Sequence, residues 1–166
     1  MTRLPLALVA VLALASGGCG LLGGGGGPVV ADTPPDAPAA LPPGPTSFTL
    51  VGDAEMNAGG NAARVYLYPL VSDATFRATP IQVFWADPEA ALGDDLSGPV
   101  RDATVRPGST DTLEEVTLDG APFLGIAVDL RAPSGDAWRA VLPASQVRGK
   151  TIRVTVTEGG LVVTSQ

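Results

Sequence analysis

Apolar and polar residues alternate from the first positions of the segment 47–166. Phe48, Leu50, Gly52, Ala54 and Met56 fall on one side, with Thr49, Asp53 and Glu55 on the other. That period of two predicts a half-buried strand. Asn57-Ala58-Gly59-Gly60-Asn61 follows and reads as a turn, because Gly and Asn tolerate positive φ. Alternation resumes over Arg64-Val65-Tyr66-Leu67-Tyr68, and Pro69 is expected to end or edge that strand. Further strands are predicted over Val100–Val105, Asp111–Leu118, Phe123–Leu130, Ala137–Leu142, Thr151–Thr157 and Leu161–Thr164. Phe123–Leu130 is the most continuously apolar and belongs in a sheet centre. Glu158-Gly159-Gly160 marks a short hairpin. About eight strands with turn residues between them point to a mainly β, two-sheet sandwich.

The stretch Val71–Leu96 breaks the pattern. Ser72-Asp73, Thr79-Pro80 and Asp87-Pro88 each resemble a helix start, the last two with proline at the first helical position. One to three short helices are expected there, inserted between strands and packing Phe76, Phe84, Trp85, Leu92 and Leu96 onto the sandwich.

The N-terminal end is organised differently. Arg3 precedes an uncharged run, Leu4–Ser16, too short for the ~20 residues of a membrane-spanning helix and suited to a signal-peptide core. Ser16-Gly17-Gly18-Cys19 then resembles a bacterial lipobox, which implies acylation of the Cys19 thiol. Ala13-Leu14-Ala15 offers an ordinary signal-peptidase site after Ala15. Cleavage there leaves Cys19 as an odd free thiol in an oxidising compartment, which disfavours it. Gly20 after the cysteine resembles the sorting pattern of outer-membrane lipoproteins. The expected organisation is a signal peptide over 1–18, lipidated Cys19 with a disordered tether over 19–46, and a β-sandwich over 47–166. The tether carries the glycine run Gly23–Gly27 and seven prolines from Pro28 to Pro45. It has no preceding strand and no following Lys-Ser/Thr, so the run is not a phosphate loop. Such a chain reaches at most ~90 Å when fully extended.

Composition narrows the chemistry. The 166 residues carry 10 Lys+Arg against 17 Asp+Glu, a net charge of −7, which argues against a nucleic-acid surface. There is no histidine and one cysteine, which removes imidazole bases, His-dependent triads, intrachain disulfides and cysteine-rich zinc sites. Asp87, Glu89, Asp94 and Asp95 form the densest acidic cluster, but Pro88, Ala90, Ala91 and Leu92 occupy places a calcium loop needs for ligands. Carboxylates at helix N-termini explain it better. Glu114 and Glu115, adjacent on a strand, are expected on opposite faces. With only 4 Phe, 2 Tyr and 2 Trp in the chain, core packing is the better use of Trp85 and Trp138 than sugar stacking. No catalytic constellation, cofactor site or metal site emerges, and a non-enzyme is expected.

Several ordered motifs nevertheless carry a resemblance. They are Met56-Asn57, Arg64-Val65-Tyr66-Leu67-Tyr68-Pro69-Leu70, Phe76, Phe84-Trp85-Ala86-Asp87, Ala91-Leu92-Gly93-Asp94-Asp95-Leu96, Val105-Arg106-Pro107-Gly108-Ser109, Leu124-Gly125-Ile126-Ala127-Val128 and Trp138-Arg139-Ala140-Val141. In that order, over about 48–164, the segment resembles the outer-membrane lipoprotein of the type VI secretion membrane complex, the TssJ (SciN/VasD) family. The resemblance implies a transthyretin-like sandwich with added helices. It also implies a lipid anchor in the outer membrane and a partner in the periplasmic C-terminal domain of a TssM-like inner-membrane protein, with a TssL-like component in the same complex. By position, the partner-binding loop between the first two strands is Asn57, Ala58, Gly59, Gly60 and Asn61. It is shorter than the family's usual loop and poor in side chains. The alternative is an unrelated transthyretin-like periplasmic lipoprotein that binds a small ligand or glycan on an exposed Trp or Tyr platform.

Overall fold

A computed structural model describes residues 45–118 and 120–166. The expected signal peptide, Cys19 and most of the expected tether lie outside the described residues. Eight strands form two four-stranded sheets. The first sheet has the order β4-β1-β7-β8, with β1 Thr46–Gly52, β4 Thr110–Val116, β7 Thr151–Val156 and β8 Leu161–Ser165. The second has the order β3-β2-β5-β6, with β2 Ala63–Leu70, β3 Arg101–Val105, β5 Phe123–Val128 and β6 Arg139–Pro143. Pairing is antiparallel except between β1 and β7. This is the expected mainly β sandwich.

Strands of the first sheet bury alternate residues. Phe48 and Leu50 of β1 and Ile152, Val154 and Val156 of β7 enter the core. β5 is buried at nearly every position, because both faces of its sheet are covered. Val65 and Leu67 of β2 are buried, while their neighbours Tyr66 and Tyr68 point to the opposite face. There they meet the inserted segment, Tyr68 against Phe76 and Phe84 and Tyr66 against Trp85. That segment holds α2 Ala74–Ala78, α3 Ile81–Ala86, α4 Pro88–Leu92 and a 3-10 turn, Gly93–Asp95. Phe76, Phe84 and Leu92 are buried, and Trp85 and Leu96 pack against the core edge, as the sequence predicts. Asp87 caps α4, its Oδ1 accepting the Ala90 N–H at 3.0 Å.

Several expectations need correction. β1 stops at Gly52, and the alternation that runs on to Met56 is coincidental: Ala54 is exposed, and Met56 is buried from the next turn. A Cβ at position 52 would lie 2.1 Å from the Arg106 carbonyl oxygen, so the close approach requires glycine. Pro69 lies inside β2 rather than ending it. Its carbonyl accepts from Ser97, and residue 69 lies beyond the β2–β3 pairing, which ends at Leu67–Arg101. The missing N–H therefore faces away from β5 and no ladder bond is lost. Pro80 precedes α3 rather than occupying its first position. The Ala137–Leu142 strand is shifted to Arg139–Pro143. Glu114 and Glu115 are both exposed, because the β1–β4 register shifts between Thr46–Val116 and Phe48–Leu113. Two residues there oppose Ser47, a β-bulge with Glu115 at φ 56°.

Candidate functional site

The loop between β1 and β2 is short because its backbone coils the unusual way. Asn57 (φ 49°, ψ 59°), Ala58 (φ 58°, ψ 62°) and Gly60 (φ 81°, ψ 35°) are left-handed, and Gly59 also has positive φ (87°). This left-handed turn is the one-turn element α1, Met56–Gly59. A non-glycine residue pays ~1–2 kcal/mol for such a conformation, so the surroundings must impose it. They do so with hydrogen bonds. The Asn57 and Ala58 N–H groups donate to the Thr157 and Glu158 carbonyls, each at 3.0 Å, in the β7–β8 turn. The Gly60 and Asn61 N–H groups donate to the Met56 carbonyl at 2.8 and 3.1 Å. Asn61 Nδ2 donates to the carbonyls of Asn57 and Ala58.

Asn57 is the keystone, and it is 3% exposed. Its Nδ2 donates to the Ala62 carbonyl at 2.7 Å, and its Oδ1 accepts the Arg131 N–H at 2.7 Å. Among the five loop residues, Asn57 therefore turns its side chain inward. Ala58, Gly59 and Gly60 are exposed and Asn61 partly so. What the loop offers outward is a rigid, nearly side-chain-free backbone surface.

Beside it lies a second feature that sequence reading missed. A cleft of about 480 Å³ is lined by Tyr66, Tyr68, Trp85, Asp87, Glu89 and Asp129, among others. Tyr68 is 1% exposed and forms its floor. Burial first, then the nearby Tyr66, Glu89 and Asp102, push the Tyr68 phenol well above the ordinary tyrosine range. Asp129 also lines a smaller groove with Asn57, Ala62 and Arg64, so cleft and loop are contiguous. The carboxylates come from α4 and the end of β5, far apart in sequence, which hid the grouping. Trp85 is therefore only partly a core residue, whereas Trp138 is fully buried. Among the described residues no group of three or more His, Cys, Asp or Glu could hold a metal ion.

Residues 45–159 match the family model T6SS-SciN, described as type VI secretion lipoprotein, VasD, EvfM, TssJ, VC_A0113. The chain belongs to this family. The match spans both the loop and the cleft and begins after Cys19. The fold is similar to that of the T6SS lipoprotein TssJ1 from Pseudomonas aeruginosa, with a TM-score of 0.65, 21% identity, and coverage of 75% of this chain and 98% of that one. It is similar to Serratia marcescens Lip, a membrane-bound component of the type VI secretion system, with a TM-score of 0.56, 18% identity, and coverage of 74% and 98%. A chain in the structure of the T6SS protein TssM C-terminal domain from EAEC gives a TM-score of 0.62 at 17% identity, covering 72% and 96%. At such identities the likeness establishes the fold. No curated protein matches this chain in sequence.

Proposed function

We propose that this chain is a lipoprotein of the type VI secretion membrane complex, held at the periplasmic face of the outer membrane by acylated Cys19. Residues 19–46 act as a tether, and the β-sandwich docks the periplasmic C-terminal domain of a TssM-like inner-membrane protein, in an assembly that includes a TssL-like component. The surface over Asn57, Ala58, Gly59, Gly60 and Asn61 contributes to that contact. The family match over residues 45–159 carries this reading. The loop's rigidity supports it, because a preordered backbone surface loses little freedom on binding. Several acyl chains at ~0.8 kcal/mol per buried methylene anchor a protein stably where one chain would not. The role is mechanical, not catalytic. Family membership removes the premise of an unrelated ligand-binding lipoprotein.

The test has two arms, both on the full chain. Cys19→Ser is expected to move the protein from the membrane to the soluble fraction, and unchanged membrane association would refute the anchor. Pull-down with the wild-type chain is expected to capture a TssM-like periplasmic domain. Lack of capture would refute the docking role.

A further inference from the structure

Each sheet ends in two edge strands, where backbone N–H and C=O groups lack a neighbour. Three of the four edges are guarded. β3 carries Arg101 and Asp102, β4 carries Glu114 and Glu115 with its bulge, and β6 carries Arg139 and ends in Pro143. β8 has no such device. Leu161-Val162-Val163-Thr164-Ser165 holds no charge and no proline, and it pairs with β7 alone, without a bulge. Val162 is 54% exposed. The Thr157 N–H donates to the Gly160 carbonyl and the Gln166 N–H to the Thr151 carbonyl. Bonded pairs alternate with unbonded ones along an antiparallel ladder, so Arg153–Thr164 and Thr155–Val162 are the bonded pairs between them. The backbone groups of Leu161, Val163 and Ser165 therefore point away from β7. The Leu161 N–H meets the Ala137 carbonyl at 2.8 Å, whereas the N–H groups of Val163 and Ser165 have no partner among the described residues.

We propose that the β8 edge receives an extended strand of the protein that docks on the Asn57–Asn61 loop, so that the partner adds a fifth strand to the first sheet. The edge itself sets the class of occupant, because an extended backbone offers donors and acceptors at the spacing of a strand. The place is continuous with the loop: the Asn57 and Ala58 N–H groups bond the β7–β8 turn from which β8 sets out. Charge narrows the partner's sequence. Ile152, Val154 and Val156 are buried, which puts Arg153 on the outer face of the sheet beside Thr164. Arg153 forms no ion pair among the described residues. An acidic residue on the outer face of the added strand supplies its counter-charge. The β8 of a second copy has no carboxylate side chain to give, so self-pairing leaves Arg153 unanswered. The occupant's origin rests on the docking reading, while the edge's capacity to accept a strand does not.

The test reads amide hydrogen exchange of the full chain, alone and with a TssM-like periplasmic domain. The Val163 and Ser165 amides are expected to exchange freely in the free chain and at least about tenfold more slowly in the complex. Ser165→Pro removes an outward donor without touching the ladder, and Val162→Lys sets a charge on the exposed face. Both should keep the wild-type urea midpoint and weaken the complex at least about tenfold. Unchanged affinity in both variants, or edge amides that stay fast in the complex, overturn the proposal. So does protection already present in the free chain: at every concentration it assigns the edge to a segment of the same chain, and only on concentrating it assigns the edge to a second copy. A second arm titrates the 15N-labelled full chain with an acetylated, amidated Val-Thr-Asp-Thr-Val peptide and with its version bearing Lys for Asp. Saturable shifts at Val163 and Ser165 are expected, with the lysine peptide about threefold weaker. Absence of shifts overturns the strand-accepting edge, and equal binding overturns the part given to Arg153. Captured partner with a silent edge refutes this inference alone. A responsive edge with no captured partner refutes the docking reading and leaves the strand-accepting edge standing.

Discussion

The Asn57 side-chain carbonyl accepts the backbone N–H of Arg131 at 2.7 Å, joining the β1–β2 loop to a segment 74 residues away. The same side chain donates to Ala62 within its own loop, so one buried amide holds the left-handed turn from both sides. Asn57→Ala leaves the Arg131 N–H and the Ala62 carbonyl unpaired and puts a methyl side chain at φ 49°. A loss of ~2–4 kcal/mol is expected from the unpaired groups and the strain together. Asn57→Gly should cost less, because only the hydrogen bonds go. Urea midpoints in the order wild type, Asn57→Gly, Asn57→Ala would bear this out.

Ala58 makes the opposite prediction. At φ 58° and exposed, it is held left-handed with no side-chain contact to reward it. Ala58→Gly relieves ~1–2 kcal/mol of strain against ~0.5–1 kcal/mol of added unfolded-state entropy. A small rise in thermal midpoint is expected, and a fall would contradict the strain assignment.

Arg139 fastens α2 to the sheet. Its guanidinium donates to the Phe76 and Thr79 carbonyls at 2.6 and 2.7 Å and to Asp136 at 2.8 Å, and it lies 4.8 Å over the Trp138 ring. Those carbonyls sit at the end of α2, where helical partners run out. Arg139→Met should cost ~2–4 kcal/mol, since two carbonyls lose a charged donor. Arg139→Lys should recover less than half, because an ammonium cannot reproduce the planar fork. Equal stability of the Lys variant and wild type would show that charge alone suffices.

Gly52 and Gly125 are fixed by contact rather than by φ. At Gly125 an added Cβ meets Leu70 Cδ1 at 3.0 Å and the Phe76 ring at 3.2 Å, and these side chains can give a little. Gly125→Ala should cost ~1–3 kcal/mol. Gly52→Ala meets backbone at 2.1 Å, which cannot give, and should be the worse of the two. Soluble yield and denaturation midpoints of the pair decide the order.

Tyr68 predicts an alkaline limit. Its folded phenol holds its proton more tightly than the unfolded one. Its contribution to stability is therefore complete below the unfolded value of ~10 and is lost progressively as pH rises beyond it. Tyr68→Phe should flatten that alkaline decline, read as urea midpoints between about pH 8 and 11. An unchanged slope would show that the phenol is not protected.

Much of the sandwich was legible because its physics is local. Period-two burial in β1 and β7, the continuous apolar run of β5, and Asp87-Pro88 before α4 each act through neighbours in sequence. Phe76, Phe84 and Leu92 also announced the packing of the inserted segment onto the sandwich. Pro69 misled because its effect depends on which side of the strand lacks a partner, and Glu114–Glu115 because a bulge is a property of two strands.

The chain by itself thus determined the strand segments, the short inserted helices, the exclusion of histidine and intrachain disulfide chemistry, and the family resemblance. Tertiary structure alone decided the left-handed conformation of Ala58, the inward turn of Asn57, and the meeting of Asp87, Glu89 and Asp129 around Tyr68. Each of these depends on contacts between residues remote in sequence, where a propensity of ~1 kcal/mol is outweighed by what the surrounding fold supplies.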